Sequence, residues 1–235
     1  SGTPYQIASL ENLTWLANQV NAGNEFTGKY FTQTADIDAS STSTWYGGKG
    51  WMPVGYDTDG NFNTSFYFAG NYDGENHSIT NLYIDRPSIS CVGLFGLAGK
   101  GGSIKNLVLS SASVSVQSTN GTQTMTALLL GCGDGITVDN CSVAGTVNGD
   151  LNVGGLIGSL YEASGATSIS NCSANCTVNS KTGGAGGLIA DIQAGTIINC
   201  SSTGSVSGIN AGSYIGGLIG NNTGNVSNSY SGTTV

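Results

Sequence analysis

GGLIG at residues 154–158, followed by SISNCS at 168–173, is the stretch from which the fold is read. Both phrases recur. The first returns as GLFG at 93–96, LLLG at 128–131, GGLIA at 186–190 and GGLIG at 216–220. The second returns as SITNLY at 78–83, SIKNLV at 103–108, TVDNCS at 137–142, TIINCS at 196–201 and NVSNSY at 225–230. The six Asn residues are Asn81, Asn106, Asn140, Asn171, Asn199 and Asn228, spaced 25, 34, 31, 28 and 29 apart. A repeat of this size marks a stacked array and not one globular core.

The Asn phrase implies a corner. Two residues before each Asn stands Ile79, Ile104, Val138, Ile169, Ile197 or Val226, and directly after stands Leu82, Leu107, Cys141, Cys172, Cys200 or Ser229. In a plain strand these two positions point to opposite faces. Both are mostly apolar, so the chain must bend between them. Asn tolerates the left-handed backbone that makes such a bend. Stacking the copies would line these side chains into an amide ladder at a spacing of about 4.8 Å. The paired glycines allow a tight lead into a further strand whose Leu points inward. Three short strands per coil, paired in parallel between coils, describe a β-helix, with right-handedness expected from parallel crossovers. A propeller needs blades of roughly 40–45 residues and hairpin turns, which these copies do not fit.

Composition agrees with many short strands and tight turns. Only 9% of the 235 residues are charged, Gly numbers 38, and the net charge is −8. An acidic surface with six cations argues against nucleic acid and anionic membranes as partners. No apolar run of about 18 residues is present to span a membrane. Of six Cys, three follow the repeat Asn at a position Leu holds in earlier copies. That placement argues against a disulfide framework and for small buried thiols. A lone His and no CxxC pair argue against a metal site.

Residues 1–24 are predicted to form a capping helix ahead of a single β-helix over 25–235. Ser9 suits the N-cap. Leu10, Leu13, Leu16, Ala17 and Val20 share one helical face, and Asn21–Gly23 stops it. Such a helix would cover the open first coil. Residues 25–73 hold most of the aromatic side chains and read as a wider coil with an excursion. The chain ends just after a repeat, at NVSNSYSGTTV, without a second helix. A continuing polypeptide, a further C-terminal domain or a capping partner is therefore expected there.

The GLFG and GGLIG phrases, each followed by an Asn phrase, resemble the GLUG-motif repeats. DIDAS at 36–40, Trp45, WMPVG at 51–55 and FAGNYDGENHSITNLYI at 68–84 look like the lead-in common to that family. The resemblance covers about residues 5–231 and departs at LLLG, which lacks the Gly pair. It implies a right-handed parallel β-helix in secreted bacterial surface proteins, many adhesin-like, some beside immunoglobulin-A peptidase domains. It supplies no shared catalytic residues, and the chain has no HExxH zinc signature.

Several residues invite chemistry, each beside a plainer reading. Asp57, Asp59, Asn61 and Asn63 alternate like a calcium loop but lack its glycine and closing glutamate; a polar turn is the plainer reading. Asp36 and Asp38 are spaced as a carboxylate pair, or as ordinary solvent-facing alternation. Arg86 is the only Arg a lyase could recruit near acid, and its neighbour Asp85 would face away. Trp45, Tyr46 and Trp51 offer a platform for sugar rings, or cover the flank of the first coils. His77 reads as a turn residue. The N-x-[ST] sequons at Asn140, Asn171 and Asn199 coincide with the corners and reflect the ladder. The expectation is a non-catalytic, adhesin-like module, extracellular or on a bacterial cell surface. It would bind a host-surface protein or a carbohydrate, or act as a spacer, with no cofactor beyond a weak calcium site. A polysaccharide lyase or glycoside hydrolase is the alternative.

Overall fold

The computed structural model describes residues 3–57, 66–116, 124–161, 166–209 and 214–235. Among these, the strands of the coils stack into four sheets whose ladders are all parallel. The first sheet runs from Tyr5–Ile7 through Tyr30–Gln33, Asn71–Asp73, Ser103–Lys105, Thr137–Asp139, Ser168–Ser170 and Thr196–Ile198 to Asn225–Ser227. The second stacks Ile37–Asp38, Ser78–Thr80, Val108–Ser115, Ser142–Gly149, Ser173–Ser180, Ser201–Gly208 and Tyr230–Thr234. The third and fourth sheets each hold five short strands, beginning with Cys91–Val92 and Phe95–Gly99. This is an all-β parallel solenoid with five full coils from Cys91 onward.

Register turns the repeat into a core. Phe31, Tyr72, Ile104, Val138, Ile169, Ile197 and Val226 are successive partners in the first sheet. All but Val226 are buried, so one inward column passes from aromatic to aliphatic along the stack. Burying each such side chain contributes about 1.5–3 kcal/mol. Each corner Asn has φ between 49° and 60°, and the residue after it drops into the core as far as Cys200.

Four sheets appear where three strands per coil were expected, because the Gly-Leu phrase is itself bent. Asn152–Gly154 lies in the third sheet and Ile157–Tyr161 in the fourth. A Cβ on Gly154 would sit 1.8 Å from the carbonyl oxygen of Ile157. The glycine is what lets the chain fold back on itself there.

The helix spans Leu10–Asn21. The Ser9 side chain accepts from the Asn12 backbone N–H, and Leu13, Leu16, Ala17 and Val20 are buried in the core shared with Ile7, Phe31 and Ile37. Residues 1–24 are more than this helix, since Tyr5–Ile7 opens the first sheet by pairing with Phe31–Gln33. The cysteine expectation needs one correction. Cys91 and Cys132 form a disulfide, with Cα atoms 5.5 Å apart. Neither follows a corner Asn. They lie in the third and fourth sheets beside Leu97 and Met125, where neighbouring coils bring them together. Cys141, Cys172, Cys176 and Cys200 are free and buried.

Candidate functional site

The corner amides do not form one continuous ladder. Asn140 donates to Asn106 Oδ1 at 2.8 Å, and Asn199 donates to Asn171 Oδ1 at 3.2 Å. Elsewhere the acceptor is a carboxylate on the preceding coil. Asn81 donates to Asp38, Asn106 to Asp73 and Asn171 to Asp139, at 3.0, 2.9 and 2.8 Å. The Asn228 side chain makes no hydrogen bond among the described residues.

Asp36 and Asp38 serve as acceptors of the same kind. Asp36 Oδ1 accepts from the Ser78 backbone N–H at 2.7 Å and lies 3.3 Å from His77 Nδ1. Asp38 accepts from Asn81 and from the Ser40 backbone and hydroxyl. The Ser78 N–H holds the Asp36 carboxyl below its ordinary value, and the Asn81 amide does the same for Asp38. Both are thereby kept as anions, the wrong form for a general acid. Arg86 is engaged too. Nε donates to the Trp51 carbonyl at 2.7 Å, Nη2 to Gly50 at 2.8 Å, and the guanidinium lies 4.7 Å from the Tyr46 ring centroid.

The expected aromatic platform divides. Trp51 is 1% exposed, and its indole N–H donates to the Leu94 carbonyl at 3.1 Å. It therefore belongs to the core and cannot meet a ligand. Trp45 is half-buried and packs on Trp51 with ring centroids 6.2 Å apart. Tyr46 is 60% exposed, in a left-handed conformation that interrupts the 3₁₀ segment Ser40–Gly47. The aromatic that sequence reasoning missed is Trp15. It is 41% exposed and stacks near Tyr5 and Phe26, at 5.6 and 6.1 Å. Its signal was present, because Trp15 falls off the apolar stripe of Leu13, Leu16, Ala17 and Val20.

Trp15 and Trp45 line one cleft between the helix and the 3₁₀ segment, a cavity of about 350 Å³ shared with Leu10, Glu11, Thr14, Asn18 and Ser41. The helical contribution follows from geometry: residues 10, 11, 14, 15 and 18 form a flank beside the buried stripe. Thr14 Oγ1 donates to the Leu10 carbonyl at 2.7 Å. The side chains of Asn18 and Ser41 make no hydrogen bond among the described residues.

An acidic patch lies apart from this cleft. Tyr67 and Tyr161 have their hydroxyls pushed up, first by burial and then by carboxylates, Asp134 and Asp57 for Tyr67 and Asp191 and Asp57 for Tyr161. Lys100 sits 4.4 Å over the Tyr67 ring and pairs with Glu25. These residues are too scattered in sequence to have been grouped beforehand. Of the calcium-like loop, Asp57 is buried, while Asp59, Asn61 and Asn63 lie outside the described residues. Among the described residues no three of His, Cys, Asp and Glu gather as a metal site, and no helix is long and apolar enough to cross a membrane.

No family model matches the chain. It is 40% identical over 158 residues to halomucin from Haloquadratum walsbyi, a match covering 66% of this chain and 2% of halomucin. It is 30% identical over 140 residues to an Evansella cellulosilytica protein provisionally named a Gly-rich membrane protein, covering 60% of this chain and 14% of that one. The chain thus spans a small fraction of the length of these relatives, whose names are those of surface-type proteins. Among solved structures it resembles a Bacteroides ovatus protein provisionally named an immunoglobulin A1 protease, with a TM-score of 0.60 and 19% identity, over 97% of this chain and 75% of that one. At that identity the likeness concerns the fold alone.

Proposed function

We propose that this chain is a non-catalytic module of an extracellular or cell-surface protein, adhesin-like, in which a stiff stack of coils carries a ligand-binding first third. One observation carries the reading. The corner amides from Asn81 to Asn199 and the carboxylates Asp38, Asp73 and Asp139 are engaged in coil-to-coil hydrogen bonds, whereas an exposed indole and unbonded polar side chains gather in the cleft beside the helix. The surface-type names of both relatives, and the small share of each that the chain matches, support a repeat unit within longer surface proteins. The resemblance to GLUG-motif repeats supports the same role. The resemblance implies a right-handed coil, and the buried stripe of the helix Leu10–Asn21 supports its covering the first coil.

The test is a turnover screen. The intact chain, with calcium present, is incubated with neutral polysaccharides, acidic polysaccharides and immunoglobulin A. No new reducing ends, unsaturated products or peptide fragments are expected. Any of these products would overturn the reading. New reducing ends or unsaturated products would favour instead a glycoside hydrolase or polysaccharide lyase, whereas peptide fragments would report proteolysis.

A further inference from the structure

We propose that the cleft between the helix Leu10–Asn21 and the 3₁₀ segment Ser40–Gly47 is a binding site for a neutral saccharide. This deepens the non-catalytic reading and rests on it.

Two indoles line the cleft, and each is backed by other rings. Trp45 leans on Trp51, which is itself fixed in the core by its bond to Leu94. Trp15 leans on Tyr5 and Phe26. Neither indole needs a ligand to hold its place, so little side-chain freedom is lost on binding. Packing of the fold does not require Trp15 to reach the cleft, since the buried stripe of the helix lies on another flank.

The polar lining has the complementary chemistry. A sugar ring offers a face of C–H groups, which packs on an indole, and a rim of hydroxyls, which donate and accept. The Asn18 amide can do both, as can the Ser41 hydroxyl, and neither is used within the described protein. Glu11 adds a fully exposed carboxylate that only accepts. Among the described residues it is the sole charged one lining the cleft. With no cation among the described lining residues and a net charge of −8, uronates and sialylated sugars would meet repulsion. A purely apolar segment would cover these polar groups without pairing them, at a cost in desolvation. The volume of about 350 Å³ falls within the range of small-ligand sites.

The experiment titrates the intact chain with neutral hexose and N-acetylhexosamine oligosaccharides, and with uronate and sialylated ones, following tryptophan fluorescence and heat. Neutral oligosaccharides are expected to bind, and Trp15→Ala and Trp45→Ala to weaken binding at least ~10-fold. Because Trp15 also packs on Tyr5 and Phe26, Asn18→Ala and Trp15→Phe serve wherever Trp15→Ala lowers the melting temperature. Both are expected to weaken binding in a chain that melts normally. Absence of binding by every neutral oligosaccharide up to ~10 mM, unchanged affinity in both tryptophan variants, preference for the anionic sugars, or a Trp15-dependent dimer in sedimentation would each overturn the site. Cleavage of a bound sugar would instead overturn the non-catalytic reading, so the two failures are told apart.

Discussion

Asn140 donates to Asn106 Oδ1 at 2.8 Å across one coil boundary, whereas Asn171 passes over Asn140 and donates to Asp139 Oδ1 at the same distance. The corner therefore asks two things of Asn, a left-handed backbone and an amide that can reach the preceding coil. The substitutions Asn140→Gly and Asn140→Ala separate them. Gly keeps the φ of 51° without strain but loses the amide's bonds to Asn106 and Asn76, about 1 kcal/mol, and adds some backbone entropy to the unfolded chain. Ala adds the left-handed penalty of roughly 1–2 kcal/mol. Urea unfolding should place Asn140→Ala clearly below Asn140→Gly. Equal midpoints would show that the backbone conformation is not what selects the residue.

The carboxylates at these corners make the stack acid-sensitive. Asp139 is held below the ordinary value chiefly by the Ser170 hydroxyl, with help from the Asn171 amide and Lys105. Ser78 and Asn81 do the same for Asp36 and Asp38. A carboxyl whose folded value is depressed binds protons more readily when unfolded. Its stabilisation is thus complete above the unfolded value of about 3.9 and is lost as pH falls through the folded value. Melting temperature should be flat from pH 7 to about 5 and fall below about 4. Asp139→Asn should start lower at neutral pH and show a shallower acid limb. An unchanged limb would assign the acid sensitivity to other groups.

Much of the fold was legible because the repeat writes the same physical demand many times. Six Asn at corner spacing, with apolar residues on either side, leave few alternatives to a parallel stack. The bend within Gly154–Ile157 was not legible, because a missing Cβ packed against a carbonyl looks in sequence like any flexible glycine. Nor was the pairing of Cys91 with Cys132, whose separation of 41 residues is closed by the coil and not by any motif. In the cleft, Trp45 was visible as an aromatic in an irregular segment. Trp51 was grouped with it by composition, although only its burial distinguishes a core indole from a surface one. Trp15 was hidden inside an amphipathic helix, where attention falls on the residues that match the stripe.

The six cysteines should separate into two chemical classes. Cys176 is pushed up to about 12 by burial, and contacts among the thiols raise Cys172 and Cys200 further. Native protein at pH 8 should show no reactive thiol toward an aromatic disulfide reagent. The four free cysteines should react in denaturant, and all six after reduction. Reducing Cys91–Cys132 should lower stability by about 4 kcal/mol on the chain-entropy account of a loop this long. Rapid labelling of native protein would mean that the core opens locally around the thiol column.

Trp51 tests whether the cleft depends on a residue that no ligand touches. Its indole shares the Leu94 carbonyl with the Val54 backbone N–H, which donates at 3.0 Å. Trp51→Phe therefore leaves that carbonyl still paired, and the cost should be about 1–2 kcal/mol from one hydrogen bond and some lost volume. Trp51→Ala should cost about 3–5 kcal/mol, as expected for an emptied buried aromatic site. The phenylalanine variant is the informative one. It stays folded but gives Trp45 a smaller ring to lean on, so oligosaccharide affinity should fall roughly threefold. Melting and titration of the same preparation separate the two effects. A Trp51→Phe protein that melts lower yet binds as well as the parent would mean that Trp45 is held by the 3₁₀ segment alone, and that the cleft is built without the core behind it.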